Sequence, residues 1–508
     1  MSIVHSVAAW LLKKRIYQIE MFIDHPIDTQ KEVFHRLRNA AENTDWGTKY
    51  GYKDIKNVRE FQERVPLSTY EDLYPWIERL LQGEKNVVWP GKIRWFAKSS
   101  GTTNDKSKFI PISKESLNDC HFKGGKDMVA IYLHNNPNSK VFSGKALPIG
   151  GSHEINKLNG RSYYGDLSAV LIQNTPILFE PFRATSKKVA LMSEWESKIQ
   201  TMAEQLVKQN VTNIIGVPTW TLVLMHKIFE QQGITDNNIL RVWKNLEVYF
   251  HGGVSFKPYR KQFEALIPSA KMNYFEIYNA SEGIFGLQNE SDKEDMLLML
   301  DYGAFYEFIP MDELGKEKPK ALTLEEVELG VTYALVISTN GGLWRYMIGD
   351  TIEFTSLHPF KIKIAGRTKH YINAFGEELM VGNAESALEK ACEVTGALIE
   401  NYTAAPIYFD GGANGAHEWI IEFKQEPGDL EQFREVLDGR LRELNSDYDA
   451  KRYKDMALRM LQLRSVPQGT FYNWMKSRGK LGGQNKVPRL SNTREYVEGI
   501  LEILKPVS

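Results

Sequence analysis

Between Ser99 and Lys108 the chain reads Ser-Ser-Gly-Thr-Thr-Asn-Asp-Lys-Ser-Lys, packing hydroxyls, one glycine and two lysines into a single short stretch. A loop of this make-up can present backbone N–H groups, hydroxyls and ammonium groups to a polyphosphate at one place. It is not a Walker loop, because Lys106 occupies the place of the glycine that this pattern needs directly before its lysine. Strand-like apolar runs flank it, Ile93–Ala97 on one side and Phe109–Ile112 on the other. The same residue types also make a solvated hairpin loop.

Further segments place small or polar residues where strand-like runs end, the position at which open α/β sheets collect ligands. Tyr278-Asn279-Ala280-Ser281-Glu282-Gly283 offers a flat face for a base, a hydroxyl and a carboxylate. Magnesium favours one or two carboxylates together with substrate phosphates, so Glu282 is a candidate ligand; an exposed strand-end turn would read the same way. His251-Gly252-Gly253-Val254 lets backbone approach a planar ring, or is a plain tight turn. Trp344-Arg345-Tyr346-Met347-Ile348-Gly349-Asp350 ends on a carboxylate that can accept both hydroxyls of a ribose, or on a Gly-Asp hairpin turn. Gly366-Arg367-Thr368-Lys369 sits where the pattern of elements changes and reads as a hinge or a polar linker. Gly482-Gly483-Gln484-Asn485-Lys486 carries a lysine that can stabilise developing negative charge, or one that is merely solvated.

The elements that must position these groups follow from periodicity. Residues 1–90 read mostly helical, with helical spacing over Glu32–Glu42 and Thr69–Gly83 and a cap at Ser68-Thr69. Val189–Gln209 reads as one long amphipathic helix running into the buried strand Val211–Gly216, with a helix resuming near Thr221. Leu246–His251 and Tyr274–Tyr278 read as strands. Strands alternating with helices predict an α/β body. After Arg367 the pattern becomes a helix over Glu385–Val394, strands over Tyr402–Phe409 and Trp419–Phe423 around a glycine-rich turn, a helix over Leu430–Leu444 and a strand over Leu461–Val466, enough for a separate α+β domain.

Composition narrows the class. The chain has 508 residues, 42% hydrophobic and 25% charged, with a net charge of −1. This is an ordinary globular composition, and no global basic field recruits nucleic acid or an anionic membrane. The two cysteines, Cys120 and Cys392, lack metal-ligand spacing and suit a reducing compartment. The apolar start at Ser2–Leu12 precedes its positive charges and is too short to span a bilayer. It predicts an amphipathic first helix in a cytoplasmic protein without an integral membrane segment.

Taken in order, these segments resemble the adenylate-forming superfamily of acyl-coenzyme A synthetases, peptide-synthetase adenylation domains and luciferases. More narrowly, they are similar to the Gretchen Hagen family of acyl acid amido synthetases, the auxin-responsive plant enzymes and their bacterial relatives. The broad superfamily pattern is Ser-Ser-Gly-Thr-Thr-Gly-x-Pro-Lys. The narrower family carries one more residue before its last lysine, as Ser99–Lys108 does. Val65-Pro66-Leu67-Ser68-Thr69-Tyr70-Glu71-Asp72, Ile77-Glu78-Arg79 and Asn485-Lys486-Val487-Pro488-Arg489 also resemble the narrower family. Departures are Asn104-Asp105 for small residues, Ser107 for proline, and Asn279-Ala280.

The resemblance implies an α/β fold. Its large N-terminal adenylate-forming domain, 1–367, would bind ATP and acid through mixed sheets, helices and a β-barrel-like part, and a smaller mobile α+β domain would span 368–508. It implies a ligase that adenylates a carboxylic acid and passes the acyl group to an amine, usually an amino acid. The alternatives are an acyl-coenzyme A ligase and a nucleotide-binding protein that no longer turns over. The implied cofactors are ATP and magnesium. Ser99, Ser100, Gly101, Thr102 and Thr103 would hold the phosphates with Lys108 nearby, and Gly252, Gly253 and Tyr278 would frame adenine. Ser281 would meet the α-phosphate, Glu282 magnesium, and Asp350 the ribose with Arg367 assisting. Lys369 would be the hinge and Lys486 the lysine at the adenylation centre. Val217, Trp220 and Val254 would line the acid pocket.

Overall fold

Helices fill the start of the chain, at Ile3–Asp24, Pro26–Ala41, Asp45–Lys49, Val58–Arg64 and Tyr70–Leu81. The computed structural model describes all residues except 1–2, 100–107, 151–154, 159–161, 193, 255, 257–258, 292, 368–370, 409–413, 456, 479–487 and 505–508, and all their side chains except those of 3–12, 195, 367 and 371. The second helix starts earlier than its apolar spacing suggests because Pro26, with its φ already helical, occupies the first turn. Its buried Gln30, Val33, Phe34, Leu37 and Ala41 form one stripe. The helix at Tyr70–Leu81 is fixed by a capping box between Thr69 and Asp72.

Contacts within the chain define two compact units, the first built from Met1–Ser99, Lys108–Phe256 and Lys261–Thr368, the second chiefly from Lys369–Ser508. Strands of the first unit are β1 (Trp95–Ser99), β2 (Lys108–Ile112), β3 (Lys145–Ile149), β4 (Asn156–Lys157), β5 (Tyr163–Gly165), β6 (Val211–Gly216), β7 (Val248–Gly252), β8 (Asn273–Ala280), β9 (Gly283–Gln288), β10 (Met296–Leu298), β11 (Ala304–Pro310), β12 (Thr332–Thr339), β13 (Tyr346–Leu357) and β14 (Phe360–Arg367). A ten-stranded sheet has the order β11-β12-β13-β14-β10-β9-β8-β7-β6-β3, and a four-stranded sheet the order β2-β1-β5-β4. In the large sheet β3, β6, β7 and β8 run parallel, and every pairing from β8–β9 outward to β11 is antiparallel. In β6, Val211, Thr212, Asn213 and Ile214 are buried in succession, without the alternation of a one-faced strand, as befits a parallel strand covered on both faces.

The edge strand β11 is covered by the second helix. Buried Gln30 donates to the carbonyls of Leu300 and Ala304 and accepts from the Tyr306 N–H, so backbone groups at this edge are not left bare. The first helix is stapled to the body by charge. Arg15 donates to Asp127 at 2.8–2.9 Å and to Asp301 at 2.7–2.9 Å, while Lys123 joins Asp301 and the Tyr302 hydroxyl donates to Asp127. Among the described residues no helix is long and apolar enough to cross a membrane.

One expectation fails. Val189–Gln209 is not a single helix but two, Lys187–Ala190 and Trp195–Leu206. Glu194 has extended backbone and its carboxylate accepts from the N–H groups of Glu196 and Ser197, so it caps a new helix in mid-window. Apolar periodicity carries no sign of such a cap. Gly349-Asp350, which would also suit a tight turn, lies inside β13.

The second unit has β15 (Tyr371–Ile372) paired with β16 (Leu379–Met380), and a three-stranded sheet of β17 (Leu398–Ile407), β18 (Ala416–Gln425) and β19 (Gln462–Val466). The pair β17–β18 is antiparallel and β18–β19 parallel. Helices Val381–Thr395 and Leu430–Leu444 pack together. Helices Thr470–Ser477 and Glu495–Ile503 contribute Phe471, Trp474, Val497 and Ile500 to a core shared with Ala405, Ile420 and Val466. The α/β fold class is borne out.

Candidate functional site

The seam where the parallel half of the large sheet meets the antiparallel half is the β8–β9 hairpin. Ala280 pairs with Gly283, so Ser281 and Glu282 alone make the turn. Cys120, on a helix far away in sequence, lies beneath it: its Sγ accepts the Ile284 N–H at 3.2 Å. A Cβ at Gly283 would stand 3.1 Å from that sulfur. Burial pushes the Cys120 thiol up to about 12, which keeps it neutral. It is a packing group here, not a nucleophile.

One strand turn before Ser281, Tyr278 sends its hydroxyl to Asp350 on β13, donating to Oδ2 at 2.7 Å. Both residues are nearly closed off, 4% and 7% exposed. Asp350 in turn stands directly opposite Arg367 in the β13–β14 ladder. Tyr278 and Asp350, 72 residues apart, thus meet from β8 and β13, and the backbone of β14 runs alongside Asp350 at Arg367.

On the parallel side, Gly252 ends β7 opposite Ile277 of β8. A Cβ at Gly252 would stand 2.4 Å from the Ile277 carbonyl oxygen and 2.6 Å from Asn279 Oδ1, so only glycine fits. Gly253 follows with φ of +82°, the left-handed region. A Cβ there would stand 3.5 Å from Cγ2 of Val217, which precedes the helix Pro218–Gln232 at the end of β6. Trp220 in that helix and Val254 are both buried. His251 stacks on Phe256 with ring centroids 3.9 Å apart, which stiffens the end of β7.

The hydroxyl-rich loop is carried by the β1–β2 hairpin, in which Ser99 and Lys108 are direct partners. The residues between them, including Ser100, Gly101, Thr102 and Thr103, lie outside the described residues, as do Lys369 and Lys486. Lys108 Nζ donates to the Tyr346 hydroxyl at 3.3 Å and lies 5.7 Å from the ring centre of Tyr70 and 5.9 Å from that of Tyr346. The Tyr70 hydroxyl accepts the Phe109 N–H at 2.8 Å. Burial, with added repulsion from Tyr74, Glu71 and Glu282, pushes this phenol up to about 12. Glu282 is therefore within electrostatic reach of the hairpin that bears Lys108.

Behind Tyr346 lies a buried ion pair. Arg345 donates to both oxygens of Glu307 at 2.9–3.1 Å and to the carbonyls of Gln62 and Val65 at 2.9 and 2.7 Å. Its backbone is left-handed, φ of +42°. Its N–H donates to the Ser338 hydroxyl and its carbonyl accepts from Ser68. Sequence reading gave no role in the site to Tyr70, Tyr346, Arg345, Glu307 or Cys120. Tyr70, Arg345 and Tyr346 stand inside segments whose neighbours drew notice, but nothing local marks Glu307 or Cys120.

The fold is that of the adenylate-forming ligases. A GH3.15 acyl acid amido synthetase superposes with a TM-score of 0.61 at 16% identity, over 96% of this chain and 95% of that one. A 2-hydroxyisobutyryl-CoA ligase in complex with 2-HIB-AMP and CoA gives 0.53 at 14% identity, over 93% and 91%. The chain belongs to the GH3 family: the family's N-terminal domain matches residues 15–272, its central domain 297–367 and its C-terminal domain 382–495. Relatives include the indole-3-acetic acid-amido synthetase GH3.3 of Arabidopsis thaliana, 23% identical over 91% of this chain and 88% of that protein. The jasmonoyl–L-amino acid synthetase JAR4 of Nicotiana attenuata is 23% identical over 91% and 90%. The family resemblance read from the sequence is borne out.

Proposed function

We propose that the chain is an ATP-dependent ligase that adenylates a carboxylic acid and joins the acyl group to an amine, with an amino acid as the acceptor class. One observation carries most weight: on a GH3 framework, Tyr278, three residues before the Ser281–Glu282 turn, donates to Asp350, whose ladder partner on β14 is Arg367. The names of the relatives supply the acid-plus-amino-acid pattern.

In the first half-reaction a carboxylate oxygen of the acid attacks the α-phosphorus of ATP, and the bond to the β-phosphate oxygen breaks to release pyrophosphate. In the second, the amine nitrogen attacks the acyl carbon, the bond to AMP breaks, and the amine loses a proton. The protein's share is positioning and charge. Asp350 takes the ribose hydroxyls, and the Tyr278 hydroxyl fixes the plane of that carboxylate. Gly252 and Gly253 bring backbone to the face of adenine, with Arg367 assisting at the nucleotide. Ser99–Thr103 and Lys108 receive the phosphates, Ser281 the α-phosphate, and Lys486 the charge at the adenylation centre. Val217, Trp220 and Val254 wall the acid pocket. Glu282 would hold magnesium: a single carboxylate on a tight turn, in reach of the Lys108 hairpin, suits an ion that completes its shell with phosphates and water and neutralises their charge.

We assign residues 1–367 to the large ATP- and acid-binding domain and 368–508 to the small one, with Lys369 as hinge. We place the enzyme in the cytoplasm, where its free thiols Cys120 and Cys392 suit reducing conditions. ATP–pyrophosphate exchange over a panel of carboxylic acids tests the proposal. Acid-dependent exchange, lost in Glu282→Ala and Lys486→Ala, is expected. No exchange with any acid would count against it, and product only with coenzyme A among amino acids, hydroxylamine and coenzyme A would replace the amine.

A further inference from the structure

We propose that the exposed segment Ile177–Phe182 is a self-association surface, through which two copies of the chain pair about a two-fold axis. Its apolar side chains face water. Ile177 is 88% and Leu178 77% exposed, Phe179 and Phe182 are exposed beside them, and no residue of the segment is buried. Local structure explains why. The segment is a short 3-10 helix entered through Pro176, and in such a helix residues three apart share a ridge. Phe179 and Phe182 form one ridge, Ile177 and Glu180 a second, and Leu178 and Pro181 the third. Apolar groups on all three ridges cannot turn to one core at once. Single exposed apolar side chains are ordinary, whereas a contiguous group of them marks a contact surface.

The segment's place in the fold keeps it apart from the assigned acid wall. Ala146, near the start of the edge strand β3, forms a parallel bridge with Arg183, and its carbonyl accepts the Ala184 N–H. From Arg183 the chain therefore runs alongside β3 in the same direction, and Ile177–Phe182 lies toward the amino end of that strand. At the other end of β3, Ile149 stands beside Gly216, which leads into Val217 of the wall.

Charge decides for a second copy. The Arg183 side chain is 7% exposed; its Nη1 donates to Glu180 at 3.3 Å, while Nε and Nη2 have no acceptor. One long contact does little to offset the cost of burying a guanidinium. The segment and its flank thus carry apolar groups, a carboxylate partly open to water and a cation short of acceptors. A two-fold operation sets Glu180 of each copy toward Arg183 of the other, where Nη1 has a second N–H to give, as the apolar ridges cover each other. A patch that bears both halves of its own match is what an isologous interface requires. A lipid surface would take in the apolar side chains together with the Glu180 carboxylate, and would offer that carboxylate no partner.

The test is sedimentation equilibrium of the full chain over a dilution series. The parent is expected to show a reversible monomer–dimer equilibrium. Ile177→Asp and Leu178→Asp change side chains already in water, so folding is spared, and each is expected to weaken the dimer about thirtyfold. Glu180→Lys sets like charges toward each other across the axis and is expected to weaken it about tenfold. Leu329→Asp, at an exposed leucine just before β12 on the far side of the large sheet, is expected to leave it unchanged. A parent that stays monomeric throughout the series overturns the proposal, and so does a dimer that both Ile177→Asp and Leu178→Asp leave intact. Flotation of a monomeric parent with vesicles of phosphatidylcholine and phosphatidylserine, lost in Leu178→Asp, would assign the segment to a membrane and overturn it as well.

Discussion

Arg15, partly buried, and Arg345, buried, are arginines of the first unit both held by carboxylates, yet their donors end in different places. Those of Arg15 end on side chains, Asp127 and Asp301, and so join one element to another. Those of Arg345 end on Glu307 and on the carbonyls of Gln62 and Val65, and its own backbone sits at positive φ. A non-glycine residue holds that conformation only where its surroundings over-determine it. The first arrangement fastens a helix; the second sets the path of the chain into Tyr346 and Asp350. The lesson is that a buried ion pair tells little about function until one asks whether it holds side chains or backbone.

The contrast can be broken experimentally. Arg345→Met leaves Glu307 buried without its cation, and is expected to lower stability by about 3–5 kcal/mol in urea unfolding and to abolish pyrophosphate exchange even in the folded fraction. Normal exchange per folded molecule would erase the distinction. Arg15→Met is expected to lose about 2–3 kcal/mol, since Lys123 and Tyr302 still satisfy the aspartates in part, with kcat for exchange unchanged below the melting range.

The Ser116–His121 segment packs against β9, next to the Ser281–Glu282 turn, and two variants there sharpen the comparison. Burial holds the His121 imidazole down to about 4. The folded state keeps it neutral while the unfolded chain takes up a proton near pH 6.5, so its stability contribution is complete above that pH and lost as pH falls toward 4. Urea midpoints should therefore drop by the equivalent of about 3 kcal/mol between neutral pH and pH 4 from this one group, and His121→Leu should flatten that limb. A slope unaltered in His121→Leu would assign the acid loss to other groups. Cys120→Val removes the acceptor of the Ile284 N–H; the expected loss is about 1–2 kcal/mol, with the KM for MgATP raised and that for the acid unmoved. Equal shifts in both would show the turn to be scaffold alone.

Much of this was legible in the chain. Capped helices such as Tyr70–Leu81 and Leu430–Leu444 announce themselves through local spacing, and the order of small-residue segments marks the family. Glu194 shows where periodicity stops: the apolar pattern runs through a cap that resets the helix. Asp350 could be singled out as a carboxylate after a glycine, but its bond from Tyr278 depends on β8 and β13 being brought together by intervening strands. Cys120 is further still from view, since a thiol accepting one N–H across 164 residues leaves no trace in either neighbourhood.

The large sheet changes from parallel to antiparallel at the Ser281–Glu282 turn. The acid wall we assign to Val217, Trp220 and Val254 hangs on the parallel strands, and Asp350, the carboxylate we assign to the ribose, on the antiparallel ones. Inheritance can exploit that division. A lineage can remodel the wall for a new acid at Val217, Trp220 and Val254 while the ribose and phosphate groups we assign to β13 and the β1–β2 hairpin are inherited untouched; Gly252 and Gly253, which we assign to adenine on the same parallel half, are the positions such changes must spare.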